Sequence, residues 1–494
     1  MRFRVVLKFL SIVAFIISGW MLIPFAYACA INGRDARAFA ASLMIGVFVG
    51  FLLYLGGRRA DMSRMRVRDV IASVAAAWIT ASFISAFPYW LDGAAPTFTD
   101  AFFESMSGYT TTGATIFPSL DELPRGLLTW RAITHWLGGM GIIVLTLAML
   151  PFTSIGGFQM FSAESPGLVH EKVTPRLRQT TIALWSVYFA LTTILTVCLC
   201  LMGMGFFDAI NHAMATISTG GFSTHSTSVA FFKDPYVEWI ITLFMFLSGA
   251  NFVLYIRALR GKTLKNFFTD PEFKFYFFVV ASTSLAISVA LYAGGLYLSF
   301  FDALRYGAFQ VTSLVTTTGF VSADYEMWPY VTKSLLFICL FLGGCAGSTS
   351  GGIKHIRLLV TGRQIARQLS RTLNPRSVLI YPIGTTTLDP AVVSSCMAFT
   401  GLYLIVFAAG TFAISLFETD LIAAISGVAS ALGNVGPAFG NLGPKYNFGS
   451  QAQGAKWIYS FLMMSGRLEL YTVFALFSGE FWREGVIWFE EARD

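Results

Sequence analysis

The chain has 494 residues, of which 55% are hydrophobic and only 12% are charged. This composition excludes a soluble globular fold, because most of the backbone cannot face water. The basic residues behind the net charge of +7 are spread over the ends of several predicted helices, which argues against a single nucleic-acid-binding patch. The six cysteines show no metal-ligand spacing. Apolar runs such as 70–90 and 142–152 predict membrane helices and not the alternating strands of a β-barrel.

Basic residues are concentrated in a few segments that set the expected topology. Six segments contain 24 of the 34 Lys and Arg residues. They are 2–8, 58–68, 172–178, 257–274, 354–376 and the tail with Arg483 and Arg493. Loops rich in Lys and Arg stay on the cytoplasmic side, and an even number of predicted crossings separates each segment from the next. We therefore expect all six segments, and the N-terminus, to be cytoplasmic.

After two leading helices, near 7–30 and 38–56, one plan occurs four times: a spanning helix, a short half-buried helix, a Thr/Gly loop and another spanning helix. An aspartate starts each short helix, where it can accept hydrogen bonds from first-turn N–H groups. These residues are Asp100, Asp208, Asp302 and Asp420. A tryptophan near the start of each second spanning helix is expected at the lipid headgroups. These residues are Trp130, Trp239, Trp328 and Trp457.

The predicted fold is an all-α polytopic membrane protein with four concatenated helix–pore-loop–helix units in a pseudo-fourfold arrangement, preceded by two transmembrane helices. The predicted segments are 1–66 for the leading helices, 67–155, 175–262, 272–370 and 388–480 for the four units, and 481–494 for a cytoplasmic tail. Basic cytoplasmic linkers join the units.

Each short helix runs into a glycine 12 to 17 residues beyond its aspartate, about half a membrane deep. The glycine loops are 110–114, 218–222, 316–320 and 433–437. A single Thr-Thr-Gly sequence would favour close helix packing. Non-helical backbone at membrane depth is tolerated only when it is buried in protein or lines a wet path. Four such loops therefore predict one shared aqueous axis.

Around that axis, loop carbonyls could replace the hydration shell of a cation, and glycine permits the backbone angles that turn successive carbonyls inward. The C-terminal ends of the short helices carry partial negative charge and would favour a monovalent cation at the membrane centre. No ring of Asp or Glu accompanies the loops, which argues against a calcium-type filter. The pattern favours potassium.

The sequence resembles the Trk/Ktr/HKT superfamily of potassium transporters over nearly its whole length, and the two leading helices look like those of a TrkH-type subunit. The resemblance is most specific in the four glycine loops, in 343–354 and in 465–469. It implies four fused units that each donate one filter segment. The implied filter glycines are Gly113, Gly220, Gly319 and Gly436. The implied ion-facing carbonyls belong to Thr111, Thr112, Ser218, Thr219, Thr317, Thr318, Asn434 and Val435.

The fourth loop departs most from the family pattern, because it has Asn-Val where the other loops have Ser/Thr-Thr. Gly433 therefore stays open as an alternative to Gly436. Superfamily members of the HKT type with serine at a filter glycine look sodium-permeable. Glycine at all four positions in this chain favours potassium over sodium.

In the third unit, an apolar run of 11 residues, 332–342, precedes a glycine-rich stretch. As helix the run would measure about 16 Å, so the break falls near the middle of the membrane. The stretch does not fit a phosphate-binding loop, because Ile353 separates Lys354 from the glycine before it. A packing break in a kinked helix remains an alternative, while the resemblance favours a mobile plug beneath the filter. The residues assigned to this gate are Gly343, Gly344, Gly347, Ser348, Thr349, Gly351 and Gly352.

Arg467 lies about twelve residues into the last predicted spanning helix, where an arginine costs about 2.5 to 3.5 kcal/mol to insert. A salt bridge to Glu469 or Glu104, or snorkelling, would offset that cost. The resemblance implies instead an electrostatic barrier that repels potassium below the filter. Histidines such as His135 are expected to pack at interfaces, without an assigned role.

The resemblance implies potassium uptake across the bacterial inner membrane, with potassium as the transported ion, no bound organic cofactor and no enzymatic activity. A proton- or sodium-coupled symporter is the alternative, and its signature would be a membrane-embedded carboxylate such as Glu104 or Glu469. The implied partners are membrane lipid, a second copy in a homodimer and a cytosolic Rossmann-type nucleotide-binding ring resembling TrkA. The basic segment 356–376 is the expected docking surface for that ring.

Overall fold

The computed structural model describes residues 3–62, 65–141, 177–373, 382–383, 386–387 and 390–482. Helices make up nearly all of the secondary structure in these ranges, with one antiparallel pair of two-residue strands, β1 (Pro382–Ile383) and β2 (Thr386–Thr387). The predicted apolar run 142–152, the start of the basic segment 172–178 and the tail from residue 483 lie outside the described residues.

The helices follow the chain in the order that the repeat predicts. They are α1 (Phe3–Ala30), α2 (Ala36–Gly57), α3 (Val67–Leu91), α4 (Phe98–Tyr109), α5 (Arg125–Met140), α6 (Leu177–Leu201), α7 (Phe206–Ile217), α8 (Pro235–Ser248), α9 (Phe252–Gly261), α10 (Lys265–Thr269), α11 (Pro271–Ala293), α12 (Phe300–Val315), α13 (Tyr330–Cys339), α14 (His355–Leu373), α15 (Pro390–Ser415), α16 (Leu421–Gly433), α17 (Gln453–Arg467), α18 (Tyr471–Phe474) and α19 (Gly479–Trp482). Short 3₁₀ turns lie at Ser228–Phe231, Tyr325–Met327, Gly440–Leu442 and Ala475–Phe477.

Six described helices are long and apolar enough to cross a membrane: α1, α2, α3, α6, α11 and α15. The last four are the first helices of the four predicted units, and each packs on the short helix that follows it, namely α4, α7, α12 and α16. The unit limits themselves stay predictions. The number and apolarity of these helices identify a multi-pass membrane protein.

The second helices of the units end early. The helices α5, α8, α13 and α17 end at Met140, Ser248, Cys339 and Arg467. The helix α8 meets α9 at a bend of 90°. The sequence pattern predicts a break in the third unit but not in the other three. Glycine and small apolar residues such as Gly249 and Ala250 at the α8–α9 break keep the hydropathy high, which conceals the break from a pattern based on apolar runs.

The units pack as a closed ring. The helix α5 packs on α7, α8 on α12, and α17 on α4, which joins the first unit to the second, the second to the third and the fourth to the first. Between the third and fourth units, the Tyr325 hydroxyl donates to the carbonyl of Ala438 at 2.9 Å. The loops that follow the short helices therefore face a common centre.

The leading hairpin of α1 and α2 packs on α3, and α1 also contacts α5. Asp35, at the turn between α1 and α2, is buried and accepts a hydrogen bond from the Leu127 N–H at 3.1 Å. Because Leu127 lies in the first turn of α5, the hairpin supplies an N-terminal cap to a helix of the first unit.

One of the four predicted aspartate caps forms as expected, because Asp420 accepts from the Ile422 N–H at 2.9 Å. Asp100 is the third residue of α4 and accepts from the Thr97 N–H at 3.2 Å in a reciprocal capping box, in which the Thr97 hydroxyl caps the first turn. Asp208 instead accepts from the Thr224 hydroxyl at 2.6 Å, and Asp302 forms an ion pair with Arg305 at 3.1 Å. The aspartate at these last two helix starts therefore holds a side chain and not the first turn.

The predicted tryptophans split into two pairs. The side chains of Trp239 and Trp457 are 42% and 46% exposed, as expected for a position at the lipid interface. Trp130 and Trp328 are buried inside the protein, which corrects the prediction for these two. Trp130 packs against Phe39 of the leading hairpin, a contact that periodicity within the units does not show.

Candidate functional site

Each short helix ends in a loop with the same backbone pattern. A residue with positive φ is followed two positions later by a glycine with positive φ. A residue with a side chain would be strained at that glycine's backbone angle. The first residues are Thr111, Thr219, Thr317 and Asn434, with φ of 51°, 54°, 56° and 56°. The glycines are Gly113, Gly221, Gly319 and Gly436, with φ of 82°, 80°, 79° and 103°.

This geometry corrects the predicted register of the second loop by one residue. The equivalent glycine there is Gly221 and not Gly220, so the carbonyl-bearing residues aligned with Thr111 and Thr112 are Thr219 and Gly220 instead of Ser218 and Thr219. In the fourth loop Gly436 has the shared geometry, whereas Gly433 is the last residue of α16.

The four glycines and the residues before them form a closed ring. A Cβ added to Gly113 would overlap the carbonyl oxygen of Gly220 in the next loop. In the same way, a Cβ added to Gly221, Gly319 or Gly436 would overlap the carbonyl oxygen of Thr318, Val435 or Thr112, respectively. Each loop thus contacts its neighbour through one glycine and one carbonyl, in the same sense around the centre. The contact brings one backbone carbonyl from each loop into a single ring, and rings of backbone carbonyls are the groups from which potassium filters are built.

Side chains behind the ring hold the loops in place. The hydroxyls of Thr110 and Thr112 bond at 2.9 Å, and those of Thr316 and Thr318 at 2.8 Å. Asn434 donates to the Thr112 hydroxyl at 3.1 Å, which joins the fourth loop to the first. The asparagine that made the fourth loop look divergent therefore contributes a contact between units.

The glycine-rich stretch after α13 lies directly beneath this ring. The Gly343 N–H donates to the Ile353 carbonyl at 2.9 Å, which closes the base of the stretch. Two further backbone bonds tie it to the break between α8 and α9: the Cys345 N–H donates to Gly249 at 2.8 Å, and the Phe252 N–H to Gly347 at 3.0 Å.

Internal bonds shape the stretch into a compact loop. The Ser348 hydroxyl donates to the Cys345 carbonyl at 2.6 Å, and the Ser350 hydroxyl accepts from the Gly344 N–H at 3.0 Å. Gly347 and Gly352 have φ of 73° and 63°, so glycine is required for these turns. All residues assigned to the gate from the sequence therefore lie in one connected element.

The tip of this loop contacts the filter loops above it. The Thr349 hydroxyl donates to the Ile217 carbonyl at 3.1 Å and accepts from the Thr219 hydroxyl at 3.3 Å. The Gly351 N–H donates to the Thr317 hydroxyl at 2.7 Å. A Cβ on Gly351 would lie 2.9 Å from the side-chain oxygen of Asn434. The loop thus contacts the second, third and fourth filter loops, and we call it the plug.

Arg467 connects this plug to two units. It is the last residue of α17, so it lies at a helix end and not at the predicted midpoint. Its guanidinium donates to the Thr349 carbonyl at 2.6 Å and to the carbonyls of Gly138 and Gly139 at 2.6 and 2.9 Å. The carbonyls compensate the charge at membrane depth, a role for which the sequence suggests a carboxylate or snorkelling.

The two carboxylates considered for Arg467 bind other arginines. Glu104 pairs with the buried Arg131 at 2.7 Å and also accepts from the Ile116 N–H at 2.9 Å. Glu469 pairs with Arg357. Glu104 therefore braces the segment that follows the first filter loop.

Several functional contacts gave no signal in the sequence. Glu272, at the start of α11, accepts from the Ala346 N–H at 2.7 Å and the Ile356 N–H at 3.0 Å, so it holds both ends of the plug. Lys456 and Asp100 form a buried ion pair at 2.6 Å between the fourth and first units. Pairing of residues 356 positions apart follows from the closed ring and not from local spacing.

Above the ring, the residues that follow the filter glycines line a cavity together with Arg131 and His225. At its rim His225 bonds Asp121 at 2.7 Å. Burial raises the pKa of Asp121, but hydrogen bonds from His225 and Ser226 outweigh it and leave that pKa below its ordinary value. The rim therefore presents an ionised carboxylate already engaged by two neighbours.

The fold and this site define a class: a multi-pass membrane protein in which four similar loops meet around one axis above an intramembrane plug. The family model described as "TrkH: Cation transport protein" matches residues 36–484. The chain therefore belongs to the TrkH family of cation transport proteins.

Curated relatives align over almost the full chain. The Trk system potassium uptake protein TrkH of Salmonella typhimurium is 37% identical over 98% of this chain and 100% of the relative. The protein TrkG of Escherichia coli, of the same system, is 34% identical over 97% and 99%. The crystal structure of the potassium transporter TrkH from Vibrio parahaemolyticus matches with a TM-score of 0.88 and 35% identity, over 98% of this chain and 100% of that one.

These matches confirm the family resemblance and the predicted fold class. The relatives are named as uptake proteins and transporters, which are not enzymes, as expected from the sequence.

Proposed function

We propose that this chain takes up potassium through a selectivity filter formed by its four glycine loops, and that the plug and Arg467 close the path below the filter. The observation that carries the proposal is the ring in which each filter glycine abuts the carbonyl of the next loop. Such a ring supplies the oxygens that replace the hydration shell of a monovalent cation.

Potassium is the proposed ion because the filter residues offer carbonyls and threonine hydroxyls in place of carboxylates. The filter residues in the corrected register are Thr111, Thr112, Gly113, Thr219, Gly220, Gly221, Thr317, Thr318, Gly319, Asn434, Val435 and Gly436. Relatives named for potassium uptake support the same choice.

The described conformation is a closed one in this proposal. The Thr349 hydroxyl and the Gly351 N–H of the plug bond directly to filter-loop groups, and Arg467 fixes the Thr349 carbonyl. Opening requires the plug to leave these partners, and its small residues keep the packing cost of that movement low. The guanidinium adds an electrostatic barrier while the plug is in place.

A coupled symporter is less well supported. Glu104 and Glu469, the membrane carboxylates considered for coupling, each pair with an arginine. A carboxylate that is held by a fixed arginine inside the protein serves a structural role in the described conformation. Passive flux through a gated filter is therefore the proposed mode.

Ion flux in liposomes tests the proposal. Purified protein would be reconstituted, and uptake measured down separate potassium and sodium gradients with pH clamped. Wild type should prefer potassium, and Gly113→Ser should lose discrimination, because its side chain would meet the Gly220 carbonyl. Flux that requires a proton or sodium gradient would instead establish a coupled carrier.

The proposed setting is the bacterial inner membrane, with the N-terminus in the cytoplasm and a homodimer as the assembly. A cytosolic nucleotide-binding ring is the proposed regulator, since the relatives are named as potassium uptake proteins of a Trk system. Its proposed docking surface is α14, whose arginines at 363, 367 and 371 recur every four residues on one helix face.

Charge reversal tests this docking surface. Changing Arg363, Arg367 and Arg371 to Glu should reduce co-purification of the ring with the membrane protein. A matched control is the triple change of these residues to Lys, which keeps the charge. Equal co-purification of the Glu variant and wild type would remove α14 as the docking surface.

A further inference from the structure

The second filter loop lacks a side chain that the other loops have. The position before the filter glycine is β-branched in three loops and glycine in the second. The β-branched residues are Thr112, Thr318 and Val435, and the fourth member is Gly220. Gly220 is not among the glycines with positive φ, so its backbone conformation is open to an ordinary residue. Something other than backbone strain accounts for glycine there.

The imidazole of His135 occupies the space in question. A Cβ on Gly220 would overlap three atoms of the His135 ring. His135 is fully buried, stacks on Phe222 with centroids 3.9 Å apart, and accepts a long hydrogen bond from the Phe222 N–H at 3.4 Å. A side chain of α5, in the first unit, thus stands where the second loop has none of its own.

Phe222 is held by a second residue of the same helix. The guanidinium of Arg131 lies 3.9 Å from the centre of the Phe222 ring and donates to the Ser223 carbonyl at 2.9 Å. Arg131 is in turn fixed by Glu104. Because Arg131 and His135 are four residues apart, both project from one face of α5 toward the second loop.

We propose that His135 is a positioning residue for ion selectivity: its ring replaces the missing side chain at position 220 and holds the Thr219 and Gly220 carbonyls in register with the other loops. The inference deepens the proposed function and rests on it. It assigns a selectivity role to a residue outside the four filter loops. The second quarter of the filter is consequently built by two units.

The inference is tested by exchanging side-chain size between positions 135 and 220. Gly220→Thr alone should lose potassium over sodium discrimination, because its side chain meets the imidazole. His135→Ala alone should also lose discrimination, by about tenfold, the equivalent of one lost bond and its packing. The double variant should recover, since the new threonine fits the vacated space and can reach Ser218, as Thr112 reaches Thr110. Flux ratios in liposomes are the readout.

Thr129→Ala, on the same helix with its hydroxyl bonded only within α5, is the matched control and should match wild type. A double variant that is less selective than both single variants, or that fails to fold, would overturn the inference, because the exchange would then not be complementary. So would wild-type discrimination in Gly220→Thr.

Wild-type protein without potassium preference would contradict the proposed function alone. The packing of positions 135 and 220 would then be tested by the unfolding temperatures of the same variants. Gly220→Thr should unfold at a lower temperature than wild type, and His135→Ala added to it should restore part of the loss. Destabilisation that simply adds in the double variant would reject the packing relation itself.

Discussion

At the scale of single residues, the filter depends on positions where a side chain has no room. Gly221 combines a positive φ of 80° with a close approach to the Thr318 carbonyl. The three atoms nearest to a Cβ on Gly220 would all belong to the His135 ring. Gly220 and Gly221 are therefore required for two different reasons, so a substitution at one should have a different effect from a substitution at the other.

Gly221→Ala should reduce potassium over sodium discrimination whether or not His135 is also changed to Ala. Its strain comes from the backbone, at a cost of about 1 to 2 kcal/mol for a left-handed residue, and from the neighbouring loop. The loss of potassium over sodium discrimination in Gly220→Ala should be corrected when His135 is also changed to Ala. Flux ratios for Gly221→Ala and Gly220→Ala, each with and without His135→Ala, check the register of the second loop. If His135→Ala corrected the variant at Gly221 but not the one at Gly220, Gly220 would again be assigned as the filter glycine.

At the scale of elements, the repeated aspartates and glycines were enough to predict four short helices and four loops. The shared loop geometry falls on three of the four predicted glycines. In the second loop it falls on Gly221 in place of Gly220, because two adjacent glycines leave the register open in the sequence. The early ends of α5, α8 and α17 were also missed. Small residues such as Gly249 stop a helix without lowering hydropathy.

In the proposed mechanism gating depends on the plug, and Arg467 ties the plug to the first and fourth units. Arg467→Ala should raise potassium flux and leave ion preference nearly unchanged, because three carbonyl bonds and the barrier are lost while the filter remains. Arg467→Lys should give intermediate flux, since a lysine keeps the charge without the planar fork. Equal flux in wild type and the Ala variant would refute this role for the arginine.

At the scale of the whole molecule, contacts between distant parts of the sequence close the ring of units. The Asp100–Lys456 ion pair joins the first unit to the fourth, and Tyr325 joins the third to the fourth. No periodicity in the sequence indicates these partners, because each belongs to a different unit. They become apparent only when the units are arranged around the axis.

Lys456→Met should destabilise the protein by about 3 to 5 kcal/mol, because it leaves the Asp100 carboxylate buried without its partner. Adding Asp100→Asn should recover much of that loss, since the uncompensated charge is removed. Thermal unfolding in detergent measures both effects. An exposed control, Lys445→Met, should change stability little. Equal stability of Lys456→Met and wild type would show that the pair does not hold the ring closed.

The central claim is that four loops of one chain form a single cation site, and crystals grown with thallium ion as a heavy analogue of potassium test it most directly. The anomalous signal should peak on the axis, within reach of the carbonyls of Thr112, Gly220, Thr318 and Val435. The peak should weaken in Gly113→Ser crystals. Thallium bound only at carboxylates such as Asp121, with no signal on the axis, would contradict the account.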